Sequence, residues 1–314
     1  MTLRIASRGS ELALWQSRAV QATLVAADPA LVVEIDVIKT TGDVIQDVPL
    51  AKIGDKGLFT KELDAALLAG AADLAVHSLK DVPTRLPDGL VLAAVTERAD
   101  PRDVLLLPRG RSGDLDSLPP GARVGTSSLR RRAQLQALRP DLAVLDLRGN
   151  LNTRLAKLDR GDYDSIVLAA AGVLRLGWSD RIAAYLEAPA WLPAVGQGAL
   201  AVVARGDRTD VIDRLRLLHD PQAAACTGAE RALLRALEGG CQVPIGALGQ
   251  VEGDRLVLHG LVAELDGGRI LRVEESGPLA EADAIGRRAA DALLARGAAG
   301  ILSGIRAALA PAAP

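Results

Sequence analysis

A chain of 314 residues, 49% hydrophobic and 24% charged, has enough apolar side chain to fill two or three globular domains. Its formal charge of -2 and aromatic content of 2% exclude a general basic field and the stacking platforms of single-strand binders, so a polyanionic ligand must be met locally. Six of the 37 basic residues are lysine (Lys39, Lys52, Lys56, Lys61, Lys80 and Lys157). GC-rich codons explain that arginine bias as readily as function does, so placement carries more information than number.

The first ten residues hold two arginines and no apolar leader core, and no apolar stretch reaches membrane length. The chain reads as cytoplasmic, with neither membrane nor nucleic acid among its partners. Short apolar runs then alternate with helical periods, the pattern of α/β layers with largely parallel sheets. Leu3 to Ala6 predicts a strand, Ser10 to Ala26 a helix capped by Ser10, and Val32 to Ile38 the next strand. Thr40 to Gly57 combines three glycines, Pro49 and mixed charges without a period, which predicts a long loop able to act as a lid. A helix follows at Thr60 to Ala69, then strands at Leu74 to His77 and Leu90 to Val95. Asp100 and Pro101 interrupt the pattern and place a boundary at Arg98 to Arg102.

The next block predicts strands at Val104 to Leu107, Arg123 to Gly125, Ala143 to Asp146 and Ser165 to Ala169, with helices at Leu129 to Leu138 and Leu151 to Arg160. Pro189, Pro193, Gly196 and Gly198 mark a return crossing, after which Ala199 to Ala204 is a strand able to rejoin the first sheet. Two crossings predict a hinge pair with a cleft between two lobes. From Asp220 the pattern changes to one long helix ending at Leu237, strands at Ala247 to Val251, Arg255 to Ala263 and Arg269 to Glu275, and a closing helix from Ala280. This is the pattern of an α+β domain with an antiparallel sheet. The expected domains are 1–98 with 196–218, 99–195, and 219–314.

Two cysteines and three scattered histidines (His77, His219 and His259) offer no metal-ligand spacing, so neither a metal nor a structural disulfide is expected. Cys226 falls in a helical stretch and reads as core. Cys241 follows Gly239 and Gly240 at a helix exit, placed for display or covalent attachment, or else as a small inward-facing loop residue. Gly125, Thr126, Ser127 and Ser128 end a strand and open a helix, where N–H groups, hydroxyls and the helix dipole suit an anion, although an ordinary cap uses the same residues. Arg130 and Arg131 in that first turn oppose the dipole, which is locally unfavourable and more readily explained by an anionic partner, while Arg132 reads as solvated. Arg148, Gly149, Asn150 and Arg154 repeat the device, as do Arg8 and Ser10; salt-bridged helix starts are the plain alternative. Asp81 lies in the run His77, Ser78, Leu79, Lys80, Asp81, Val82, Pro83, either pairing with Lys80 and capping a turn, or facing a ligand as a carboxylate kept ionised by guanidinium groups.

At these residues the chain resembles the hydroxymethylbilane synthase (porphobilinogen deaminase) family. The matching segments run in order: Arg8 to Gln16, Lys56 to Glu62, His77 to Pro83, Val124 to Arg131, Leu147 to Arg154, Ala194 to Ala199 and Gly239 to Gly246. Beyond Gly246 no family motif is placed. The resemblance implies two periplasmic-binding-protein-like (type II) α/β domains with a hinge, plus a C-terminal α+β domain with a small antiparallel sheet, in a monomer. It implies a transferase of tetrapyrrole biosynthesis that condenses four porphobilinogen molecules, with deamination, onto a dipyrromethane cofactor held through the sulfur of Cys241, then releases linear hydroxymethylbilane by hydrolysis. Asp81 matches the catalytic aspartate. Ser78, Lys80, Thr126, Ser127, Ser128, Arg130, Arg131 and Arg148 match cofactor-binding positions. Arg8, Ser10, Lys56, Phe59, Arg154, Arg175 and Gln197 match the substrate side, with Phe59 contacting a pyrrole ring and Gln197 given no chemical role.

Two other readings fit the residues taken alone. A two-lobed binding protein or sensor for a small anion would use the crossings and arginines but has no need of Cys241. A thiol-dependent acyl transferase would use Cys241 and form no pyrrole chromophore, and no nearby segment carries a cysteine-protease signature.

Overall fold

The computed structural model describes residues 2–44, 60–237 and 243–309. These divide into two compact units, one of residues 2–44, 60–99 and 198–224, the other of residues 100–197 and 225–309. No helix among the described residues is long and apolar enough to cross a membrane.

The first unit is built on β1 (Thr2–Ser7), β2 (Val32–Val37), β3 (Leu74–Ser78), β4 (Leu90–Val95) and, after the return crossing, β10 (Leu200–Arg205), in the order β2-β1-β3-β10-β4. The second unit holds β5 (Asp103–Leu106), β6 (Arg123–Gly125), β7 (Ala143–Leu145), β8 (Ser165–Ala169) and β9 (Ile182–Leu186), in the order β7-β6-β8-β5-β9. The sheets are mixed rather than largely parallel: β10 and β5 each run antiparallel to both neighbours. Each is also the first strand after the chain passes from one unit to the other. In both sheets the order is second, first, third, crossing strand, fourth, which is the arrangement of a two-lobed, type II periplasmic-binding-protein-like fold.

Local chemistry explains the main helices. Ser10 Oγ accepts from Ala13 N at 3.3 Å and opens α1 (Glu11–Ala27), which buries Val20 and Leu24 against Leu3, Ile5 and Leu74. Burying each such leucine contributes roughly 1.5–3 kcal/mol. On the opposite face α2 (Lys61–Leu68) buries Leu63 and Leu67 against Ala6 and Ala75. In the second unit Ser128 caps α3 (Leu129–Leu138) and Asn150 caps α4 (Leu151–Asp159). Every residue of β8 is buried, with Val167 in one core and Ile166 and Leu168 in the other, as a strand covered on both faces requires. Elements beyond those expected include a short helix at Thr41–Val44, where the start of the aperiodic loop was expected, α5 (Ala170–Arg175), strand β9, and α6 (Thr209–Leu215).

The antiparallel sheet of β11 (Ile245–Glu252), β12 (Arg255–Ala263) and β13 (Ile270–Pro278) completes the second unit, preceded by α7 (Pro221–Ala236). The closing segment forms two helices, α8 (Ala282–Ala295) and α9 (Ala298–Leu309), because Gly297 between them adopts a left-handed φ of 98°. Leu233, Leu258, Ile285, Leu293 and Leu302 fill this core together with Cys226, which is buried as its helical setting predicted. Ala133 of α3 packs with Leu192, Leu248 and Leu261, joining this sheet to the preceding α/β layer.

Candidate functional site

In the first unit β1 and β3 are parallel neighbours, so their carboxyl ends fall side by side. The chain leaves β1 through Arg8 to the cap Ser10, and leaves β3 through the single 3-10 turn Leu79–Asp81. Arg8, Ser10, Gln16, His77, Ser78 and Asp81 consequently line one pocket. Lys80 occupies the same turn, half-buried. Gln16 Nε2 donates to Ser78 Oγ at 2.8 Å and fixes that hydroxyl. His77 is buried, and its Nε2 has no hydrogen-bond partner among the described residues. Burial, then the charge of Arg8, pushes its imidazole down to about 4, so it is neutral at neutral pH. The pocket therefore sets a guanidinium and a carboxylate around a neutral ring, a combination that can hold an anion and steady a nearby cation.

In the second unit the strand-to-helix turn after β6 spends several of its hydroxyls on itself. Ser127 Oγ donates to Leu147 O and accepts from Leu147 N, both at 3.0 Å, tying this turn to the loop before α4. Thr126 Oγ1 accepts from Ser128 N at 3.2 Å, and Ser128 Oγ accepts from Arg131 N at 3.4 Å. The anionic partner that Arg130 and Arg131 require is present within the protein: their guanidinium groups each lie 2.7 Å from the Asp103 carboxylate. Arg130 is 4% and Arg131 6% exposed. Burial pushes the Asp103 carboxyl up, but the charges and hydrogen bonds of Arg130 and Arg131 outweigh it and hold the group well below the usual carboxylate range. Burial lowers the Arg130 pKa, opposed by Asp103.

The loop before α4 repeats the pattern. Gly149 has a φ of 109°, and a Cβ there would meet Thr153 Cγ2 at 2.6 Å, so only glycine fits this turn. Asn150 Oδ1 accepts from Thr153 N at 2.9 Å, and Arg154 Nε donates to the Gly149 carbonyl at 2.9 Å. Burial lowers the Arg148 pKa, opposed by the charge of Asp146. Arg175 closes α5, and burial pushes its guanidinium down to about 10, the mark of a cation drawn out of water.

The structure thus gathers Arg8, Ser10, Ser78 and Asp81 in the first unit. In the second it links Thr126, Ser127, Ser128, Arg130 and Arg131, with Arg148 next in sequence to Leu147, the partner of Ser127. Cys241, Lys56 and Phe59 lie outside the described residues, as does most of the expected lid at Thr40 to Gly57. Gln197 differs from its expected place on the substrate side: it is 1% exposed, and its Nε2 donates to Pro101 O, Arg102 O and Asp103 Oδ1. Asp103, Gln16 and the neutral state of His77 did not emerge from the sequence. The available signal for Asp103 was a carboxylate opening a run of four apolar residues, which is costly without internal cations.

A polycarboxylate cofactor fits the second unit. Two arginines share one aspartate, leaving one positive charge uncompensated within that trio, and Arg131 Nε is buried without a hydrogen-bond partner among the described residues. Comparisons with known proteins agree. Residues 3–213 match the porphobilinogen deaminase dipyromethane cofactor binding domain, and residues 224–295 match the porphobilinogen deaminase C-terminal domain. The chain belongs to the porphobilinogen deaminase family. A porphobilinogen deaminase of Prochlorococcus marinus (strain MIT 9313) is 53% identical over 311 residues, 98% of either chain. One of Xanthomonas oryzae pv. oryzae (strain KACC10331 / KXO85) is 52% identical over 304 residues, 97% of this chain and 99% of the relative. Among solved structures, an arginine-specific periplasmic binding protein of Salmonella typhimurium is 12% identical with a TM-score of 0.41, covering 71% of this chain and 93% of its own. At that distance the fold assignment rests on the strand order of the chain itself.

Proposed function

We propose that the chain is a hydroxymethylbilane synthase: it deaminates porphobilinogen, joins four such units, and releases the linear tetrapyrrole by hydrolysis. The observation that carries this reading is the pocket setting Asp81 beside Arg8 and Ser10, in a chain of this family. Arg8 and Ser10 bind a carboxylate of the incoming pyrrole at the start of α1, where the helix dipole also favours negative charge. Asp81 stabilises the positive charge that develops on the substrate as ammonia departs and assists the proton transfers that follow. His77, neutral in the same pocket, adds no cation to compete for Asp81.

When bound, the dipyrromethane cofactor supplies a nucleophilic pyrrole α-carbon. Cys241 would hold it through a thioether, Ser78, Lys80, Thr126, Ser128, Arg130, Arg131 and Arg148 would hold its acid side chains, and Ser127, whose hydroxyl proton already goes to Leu147 O, would shape the turn that carries them. Arg154 and Arg175 serve the carboxylates of substrate-derived units, and Lys56 and Phe59 belong to the same substrate-side set. Residues 1–98 with 196–218 supply the catalytic aspartate and Arg8, 99–195 the other carboxylate-binding arginines and 219–314 the thiol, in a monomer acting in the cytoplasm. Incubating the purified chain with porphobilinogen and measuring released ammonia tests the reading. The synthase liberates ammonia and forms a linear tetrapyrrole, whereas an anion-binding protein of the same architecture liberates none.

A further inference from the structure

Asp103 opens β5 with 0% exposure, and its carboxylate receives four side-chain donors. Arg131 Nη2 at 2.7 Å and Gln197 Nε2 at 2.8 Å donate to Oδ1, and Arg130 Nη1 at 2.7 Å and Trp191 Nε1 at 2.8 Å donate to Oδ2. A carboxylate has about four lone-pair sites, so this one is saturated and has no capacity left for proton transfer or a ligand. Its effect is on its donors. Two guanidinium groups side by side and largely out of water repel each other, and a single carboxylate bonded to both offsets that repulsion.

Gln197 and Trp191 brace the carboxylate from the segment leading to the return crossing. Gln197 Nε2 also donates to Pro101 O at 2.8 Å and Arg102 O at 3.2 Å, so it grips the backbone that leads into Asp103. Arg131 is fixed at two nitrogens, Nη2 on Asp103 and Nη1 on Val167 O at 3.0 Å. Its third nitrogen, Nε, is the buried one without a hydrogen-bond partner among the described residues. An arginine held by two of its nitrogens has already lost most of its rotamer entropy before any anion arrives.

We propose that Asp103, braced by Gln197 and Trp191, is a positioning residue that holds Arg130 and Arg131 extended so that their one uncompensated charge and the spare Nε of Arg131 await a carboxylate of the cofactor. The inference rests on the reading that Arg131 binds that group. Gln197 thereby acquires a role, acting through Asp103 without touching substrate.

Gln197→Met keeps side-chain length and removes the donor. The readouts are the fraction of purified chain carrying the cofactor, from intact denatured mass, and the rate at which cofactor-free chain loads itself from porphobilinogen. Gln197→Met, which loses its bond to the charged Asp103 together with those to Pro101 O and Arg102 O, is expected to melt as a folded protein and to load more slowly by on the order of tenfold. In an Arg131→Ala background the same substitution is expected to slow loading by clearly less than it does in the wild-type chain, the remainder acting through Arg130. Trp191→Phe, which removes a donor from Oδ2 and keeps an aromatic ring, replaces Gln197→Met in the same cycle if that variant does not fold. An Arg131→Ala chain that loads at the wild-type rate removes the underlying reading and the inference with it. Slow loading by Arg131→Ala beside wild-type loading by the bracing variant overturns the inference alone, as does a double variant slowed by both full factors.

Discussion

Arg8 and His77 line one pocket, and the arginine's charge adds to burial in holding the histidine at a pKa of about 4. Unfolding returns the imidazole to about 6.5. Between those values the unfolded chain binds a proton that the folded chain does not, so stability rises with pH. The contribution is complete above about pH 6.5 and is lost as pH falls toward about 4, amounting to about 3 kcal/mol at most. Urea unfolding at pH 7 and pH 5 measures it. His77→Asn should narrow the difference between the two pH values, and an unaltered difference assigns the pH dependence to other groups.

Asp81→Asn keeps the size of the side chain and removes its charge. Folding and cofactor retention should survive, because Asp81 sits half-buried at the end of a turn and asparagine fills the same space. Turnover should fall by about a hundredfold or more, the scale of a positioned acid-base or electrostatic group. Steady-state ammonia release measures the loss, and an unchanged rate would take Asp81 out of the mechanism.

Arg148→Ala and Arg154→Ala remove guanidinium groups from the loop shaped around Gly149. Each should slow cofactor assembly or one elongation step by about tenfold or more, since a hydrogen bond between charged groups contributes about 1.5–3 kcal/mol. Separating enzyme-bound intermediates by charge shows which step stalls. Wild-type distributions in both variants would make these arginines structural.

Much of the fold was legible because the signals were local. Ser10, Ser128 and Asn150 cap the helices they precede, and the strands Arg123–Gly125, Ser165–Ala169 and Arg255–Ala263 begin and end where the pattern breaks. Strand direction was not legible. The antiparallel β5 and β10 are short apolar runs buried throughout most of their length, and such runs read alike whichever way they are threaded. Helix Ala170–Arg175 continues an unbroken apolar run and has no side-chain cap, and β9 is only half-buried and rich in alanine, so neither announced itself. For the site, glycine, hydroxyl and arginine spacing pointed to Arg8, the Thr126 turn and Arg148. The sharing of one aspartate by Arg130 and Arg131 depends on a residue 27 and 28 positions away, which no periodicity encodes.

Glu230 tests the framework rather than the chemistry. It is fully buried in α7, and its two carboxylate oxygens accept from Gly196 N and Gly249 N, both at 2.7 Å. Glu230→Ala strands two buried backbone donors and should cost about 3 kcal/mol, read as a lowered denaturant midpoint with an unchanged slope. A midpoint equal to wild type would show that water or neighbouring groups replace the carboxylate without penalty.

The central claim is that this chain builds a polyanion on a sulfur-bound primer. Intact mass of the denatured, purified chain tests it most directly. The account predicts an excess equal to two linked pyrrole units, mapped to the peptide containing Cys241 and lost in Cys241→Ser. An active chain of unmodified mass, whose Cys241→Ser variant releases ammonia from porphobilinogen at the wild-type rate, would contradict it.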